Sequence, residues 1–151
     1  MTHWNSNMDE ARDLTTAIMI AAEAHEGQFD KGGEPYILHP FRVMLAMKTN
    51  AERTIAVLHD VAEDFEAGWQ RIHDGDFPDE IIEAVDALTR RKDEGETYDD
   101  FIFRVAENPL AIKVKLADID DNLLPWRSHN IGSKLLQRYQ RARATLAKRM
   151  K

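Results

Sequence analysis

The chain has 151 residues, 43% of them hydrophobic and 31% charged, a composition that suits one soluble domain with a buried core. Its formal net charge of −7 sets up a field that repels nucleic acid polymers and anionic membranes, which leaves small-molecule substrates as the expected partners. Cysteine is absent, so disulfides, thiolate metal sites and a cysteine nucleophile are excluded, and a metal must rest on His, Asp, Glu or Asn. The opening MTHWNSNMDE lacks the apolar segment of a signal peptide, and no run approaches the ~18 apolar residues of a membrane span, so a cytoplasmic protein is expected.

Leu14, Ile18, Ala21, Ala22 and His25 at helical spacing predict a first helix over about 8–26, stopped by Gly27. The Gly- and Pro-rich FDKGGEPYILHP reads as a loop, after which His39-Pro40 opens a helix to about residue 48. Asn50 is the expected N-cap of the next helix, which carries His59 to Asp64. A short helix is expected over 69–73, and another over 78–88 with Ile81, Ile82, Val85 and Leu88 as its apolar stripe. Thr97 with Asp100 resembles a capping box for a helix to about 107. Pro109 starts the next helix, Pro125 ends it, and the last runs over about 133–149. Strict alternation is nearly absent, so the fold class is all-α in a single domain. Met44, Met47 and Trp126 are read as core, and oligomeric state is not legible.

The stretch AVLHDVAEDF puts His59, Asp60, Glu63 and Asp64 within six residues of an apolar helix. At ~100° per residue, 59 and 63 share a face, as do 60 and 64, and 60 and 63. A second cluster, Asp118 and Asn122 at i,i+4 in VKLADIDDN, follows a buried-looking run. A buried carboxylate needs a cation, and for Asp118 that is either a metal or a lysine such as Lys115. His39 and His25 each have an ordinary structural reading, and His25 reads equally as a substrate contact. His3, His73 and His129 carry no assigned role. Together, His39, His59, Asp60 and Asp118 form a mixed nitrogen and oxygen set suited to Mn, Fe, Co or Zn. Residues 133–151 carry seven Lys or Arg and no acid, which reads as a solvated basic face.

The ordered segments AHEGQFDKGGEPYILHPFRV, AVLHDVAED and VKLADIDDN, spanning about 14–124, resemble the HD-domain phosphohydrolases. Within them the chain is most similar to the hydrolase domain of RelA/SpoT proteins and to the stand-alone small alarmone hydrolases. The resemblance implies an HD-type helical bundle that removes pyrophosphate from the 3′ position of guanosine tetra- and pentaphosphate. It implies His39, His59, Asp60 and Asp118 as ligands of a divalent metal, most of all Mn²⁺. Glu63 and Asp64 become the residues that orient and deprotonate water. Asn122 becomes a nucleoside contact, and Lys31 lies beside the base or phosphates.

Two departures from the family pattern bear on substrate. The family's base-stacking arginine before the lysine is Asp30 here, and an arginine two residues past Asn122 is Leu124. A phosphatase acting on another phosphorylated nucleotide, for example NADPH, is therefore a second expectation. A catalytically inactive nucleotide-binding module is a third. Lys31, Arg42, Lys113, Lys115 and Arg90-Arg91-Lys92 are the candidate cations for the leaving group.

Overall fold

The segment NAERTIAVL is apolar beyond one stripe, which predicts a helix buried on most sides. In a computed structural model of the protein, which describes residues 7–150, this segment is α3 (Asn50–Leu58). Ile55, Ala56, Val57 and Leu58 are all at 0% exposure. Full burial of Ile55 or Leu58 stabilises the fold by roughly 1.5–3 kcal/mol each. Around α3 pack α1 (Asn7–Ala24), α2 (Leu38–Leu45), α6 (Asp79–Ala87) and α8 (Pro109–Asn122). The bundle is completed by α4 (Val61–Asp64), α5 (Gly68–Asp74), α7 (Tyr98–Val105), α9 (Pro125–Ser128) and α10 (Ser133–Arg149). Among the described residues the only β pairing is an isolated bridge between Phe29 and Pro35, so the fold is all-α. No helix of the described residues is long and apolar enough to cross a membrane. His3 lies outside the described residues.

Several boundaries differ from the sequence reading. Thr49, not Asn50, caps α3: its backbone is extended and its hydroxyl accepts from Glu52 N at 3.1 Å. Asn50 is already helical, and its side chain accepts from Arg53 instead. α1 ends at Ala24 and α2 at Leu45, each shorter than periodicity predicts. Ala22 is exposed, and the inner face of α1 is instead Asp13, Ala17, Ile20 and Ala21. The expected cap Thr97 is present, accepting from Asp100 N, and Asn108, which the sequence reading did not name, caps α8 by accepting from Ala111 N ahead of Pro109.

The decisive difference lies at residues 59–60. A continuous helix would give the Ala56 carbonyl to Asp60 N–H. Here that carbonyl accepts from His59 N at 3.3 Å and from His59 Nδ1 at 2.6 Å, and the helix stops. It resumes as α4, with Asp64 N bonded to Asp60 O at 3.0 Å. Gly68 lets α5 lie against α4, since a Cβ there would sit 2.5 Å from the Val61 carbonyl oxygen. Met44 and Met47 are core at 8% and 9% exposure, whereas Trp126 is 47% exposed, with the Arg42 guanidinium 4.8 Å from its ring centroid.

Candidate metal centre

Three elements deliver the polar cluster. Pro40 and the turn before it set His39 at the start of α2, the break after α3 supplies His59 and Asp60, and the buried face of α8 supplies Asp118. One ligand atom from each of these four residues lies within 4.8 Å of the other three. His39 Nε2 is 2.9 Å from Asp118 Oδ1 and 3.7 Å from Asp60 Oδ2. His59 Nε2 is 3.2 Å from Asp118 Oδ1 and 3.1 Å from Asp60 Oδ2.

Both imidazoles are fixed from behind. His39 Nδ1 donates to Asp121 Oδ2 at 2.6 Å, and His59 Nδ1 donates to the Ala56 carbonyl at 2.6 Å. With each Nδ1 carrying a hydrogen, each Nε2 presents its lone pair to the two carboxylates. Such a set needs a cation between its members. Burial pulls both histidine pKa values down, yet the neighbouring carboxylates outweigh it and raise both above the ordinary value of 6.5. Burial likewise opposes ionisation of Asp60 and Asp118, but the adjacent histidines, and Lys115 beside Asp118, hold both carboxyls well below their usual range. The field that retains protons on these rings is the field a divalent ion would meet on displacing them. The donor set therefore fits a divalent metal.

Asp121 is itself clamped. It accepts from Arg42 Nε at 2.7 Å and is contacted by Arg127 Nη1, so its charge is balanced without His39 being ionised. Tyr36 donates its hydroxyl to Asp60 Oδ2 at 2.5 Å. Lys115 takes Asp118 Oδ2 at 2.8 Å, so the lysine pairing and the four-residue cluster coexist on one carboxylate.

The cluster opens on a cavity of about 470 Å³. Glu63 lines it and accepts Arg90 N–H at 2.7 Å. Partial burial, with Asp60 nearby, raises the Glu63 pKa despite that hydrogen bond. Asp64 does not line the cavity; it accepts from Gln28 at 3.4 Å and lies 4.0 Å from His25. Glu63 thus faces the cavity, whereas Asp64 faces Gln28 and His25. His25 is buried behind Tyr36, with ring centroids 4.9 Å apart, and is not part of the cavity wall. Asn122 lines the cavity but donates to Asp118 Oδ1 at 3.2 Å, and Lys31 lines the mouth.

Of the candidate cations, Lys31, Arg90, Lys92 and Lys115 face the cavity. Arg42, Lys113 and Arg91 instead pair with Asp121, Glu52 and Asp86. Sequence reasoning missed Arg127, His129 and Arg138, which also line the wall. Leu124 removes no cation from the site overall: Pro125 turns the chain into α9, which returns Arg127 to the cavity. Asp30 is folded back on its own loop, accepting from Gly32 N at 2.9 Å and Glu34 N at 3.0 Å, and faces Arg127 at 3.7 Å.

With this geometry in view, comparison with known proteins is specific. The chain is 34% identical over 127 residues, 76% of its length, to the bifunctional (p)ppGpp synthase/hydrolase SpoT of Escherichia coli K12. It is 32% identical over 123 residues to the guanosine-3′,5′-bis(diphosphate) 3′-pyrophosphohydrolase of Aquifex aeolicus. This similarity, over about three quarters of the chain, is consistent with an HD-domain hydrolase of the RelA/SpoT type. A Streptomyces coelicolor protein named GTP pyrophosphokinase is 30% identical over 127 residues. The chain spans 18% of the length of the first two relatives and 15% of the third. No family model matches it. The four clustered residues His39, His59, Asp60 and Asp118 are a donor set that could hold a metal ion.

Proposed function

We propose that the protein hydrolyses a phosphorylated nucleotide, with the 3′-pyrophosphate of guanosine tetra- or pentaphosphate as its first substrate. The observation that supports this most is the convergence of two Nε2 lone pairs and two carboxylates beside a cation-lined cavity, with His59, Asp60 and Asp118 on its wall, in a protein of net charge −7. His39, His59, Asp60 and Asp118 hold the divalent ion, with Mn²⁺ the expected species. When bound, that ion supplies a Lewis acid for the phosphoryl oxygen and acidifies water.

The chain's own groups do the rest. Asp121 and the Ala56 carbonyl keep the two imidazoles in the tautomer that faces the ion. Glu63, held by Arg90 N–H, orients the attacking water and takes its proton, and its raised pKa brings it nearer to a neutral working pH. Asp64, tied to Gln28, assists from outside the cavity wall. Lys115, Arg90, Lys92 and Lys31 neutralise charge on the phosphates. Asn122 and Lys31 are the nucleoside-side contacts. Cytoplasmic location and action on a free nucleotide belong to the same reading.

A second substrate class has one observation in its favour. The position before Lys31 is an acid bonded to its own loop, and it lines the cavity together with Arg127 and His129 where the family pattern has an arginine. The deciding experiment is pyrophosphate release from guanosine tetraphosphate by the purified protein with Mn²⁺, beside phosphate release from NADPH. Rapid release of pyrophosphate and GDP supports the first reading. Release of phosphate from NADPH alone moves the assignment to the second, and silence on both substrates by metal-loaded protein refutes the pair.

A further inference from the structure

The basic last helix, read from sequence as a solvated face, does not behave uniformly. Arg141 pairs with Asp99 at 3.4 Å and Arg143 with Asp120 at 2.8 Å, both on the outside. Arg138 is different. It lines the cavity, and its guanidinium carbon lies 4.8 Å from the centroid of the Tyr98 ring. Among the described residues no carboxylate is within ion-pair range of it. Arg90 and Lys115 approach the same ring at 5.7 and 5.9 Å.

Three cations gathered around one aromatic ring repel one another, and the ring quadrupole offsets only part of that repulsion. Lys115 has Asp118 as a counter-ion, and Arg90 donates to the Glu96 carbonyl at 3.3 and 3.4 Å, but Arg138 has neither. The Tyr98 hydroxyl in the same wall is buried without a hydrogen-bond partner, a second polar atom whose partner is missing. Excess positive charge, a planar donor fork and a spare hydroxyl are what a phosphate oxyanion uses.

We propose that Arg138, delivered by α10, forms with Arg90 and Lys115 a phosphate-binding subsite over the face of Tyr98. The subsite rests on the reading of the cavity as a phosphohydrolase site, and it names the part of that cavity which holds a substrate phosphate beyond the one at the metal. Lys115 joins the two, with its ammonium on Asp118 at one side and on the Tyr98 face at the other. Arg138 is thus a substrate-binding residue outside the motif-bearing part of the chain.

The test is calorimetric binding of pyrophosphate and of GDP to the Mn²⁺-loaded protein, for wild type, Arg138→Gln and Arg141→Gln. Arg141→Gln removes the same charge from the same helix without touching the cavity. Arg138→Gln should weaken pyrophosphate, GDP or both by about 10- to 100-fold, the range for a hydrogen bond to a charged group, while Arg141→Gln changes neither by more than about twofold. Loss on pyrophosphate alone assigns the subsite to the group released from the 3′ position, and loss on GDP alone to the 5′ phosphates. The melting temperature of Arg138→Gln should match wild type, since no ion pair is lost. Equal effects of the two variants, or no effect of Arg138→Gln, would overturn the subsite even if nucleotide hydrolysis is found. Selective loss of binding in Arg138→Gln would uphold it even if the hydrolysed nucleotide proves to be a different one.

Discussion

Asp121 accepts from His39 Nδ1 at 2.6 Å while His39 Nε2 faces Asp118 at 2.9 Å, so one carboxylate sets the direction in which the other side of the ring can bind. Asp121 touches none of the expected ligands except His39, and Arg42 and Arg127 hold it in place, with Arg127 Nη1 also 2.6 Å from His39 Nδ1. Asp121→Ala should lower Mn²⁺ affinity by about 10- to 100-fold, the usual effect of losing such a partner. Titration calorimetry checks this, with the helical circular dichroism spectrum showing that the bundle survives.

Gly68 is the contact point between α5 and the short α4 that bears Glu63. A Cβ at this position would lie 2.5 Å from the Val61 carbonyl oxygen and 2.9 Å from Ala62 Cα, both backbone atoms that cannot rotate away. Gly68→Ala should destabilise the protein by about 1–3 kcal/mol through overpacking. Denaturant unfolding measures the loss, and turnover should fall too because α4 must shift.

Glu96 organises the loop that presents Arg90 and Lys92. Its carboxylate takes Arg104 at 2.6 and 2.9 Å and Arg91 N at 2.9 Å, while its carbonyl receives the Arg90 guanidinium. The Arg104 hydrogen bonds, opposed by some burial, hold the Glu96 pKa down at about 2, against an ordinary 4.5. A depressed carboxyl pKa stabilises the fold fully above the ordinary value, and the contribution is lost as pH falls from 4.5 toward about 2. Glu96→Gln should therefore cost about 1–2 kcal/mol at neutral pH, after allowing for solvent screening. Melting curves at pH 7 and pH 3 should show the gap between wild type and variant narrowing in acid.

Asp30 separates two roles. Its Oδ1 closes the loop on Gly32 and Glu34, whereas Oδ2 faces Arg127. Asp30→Asn keeps an acceptor for the loop and removes the charge beside Arg127, so stability should hold while KM changes as the cavity wall becomes more positive. Asp30→Ala should also lose about 1–2 kcal/mol through unsatisfied loop N–H groups. Parallel melting and steady-state measurements distinguish the two variants.

The all-α class and most helices were legible because their stripes and start signals are local, as with Thr97 and Pro109. The four-residue cluster was legible because its members sit in short ordered motifs. The break at His59 was not, since it depends on one side chain taking the Ala56 carbonyl from the helix, which periodicity does not register. Arg127 and Arg138 were hidden for another reason. Both lie in basic, unpatterned sequence and reach the cavity only because Pro125 turns the chain and α10 packs across α7 and α8. Asp30 was read as a reversed charge in the substrate wall, whereas its backbone bonds make it first a loop residue.

The most direct test of the metal centre is Mn²⁺ titration of wild type, Asp60→Ala and Glu63→Gln, with turnover measured on the same samples. Wild type should show a single tight site, Asp60→Ala should lose that site and turnover, and Glu63→Gln should retain binding with turnover reduced by about 100-fold or more. A folded Asp60→Ala protein that binds Mn²⁺ as wild type does and turns over at full rate would contradict the metal-centre assignment.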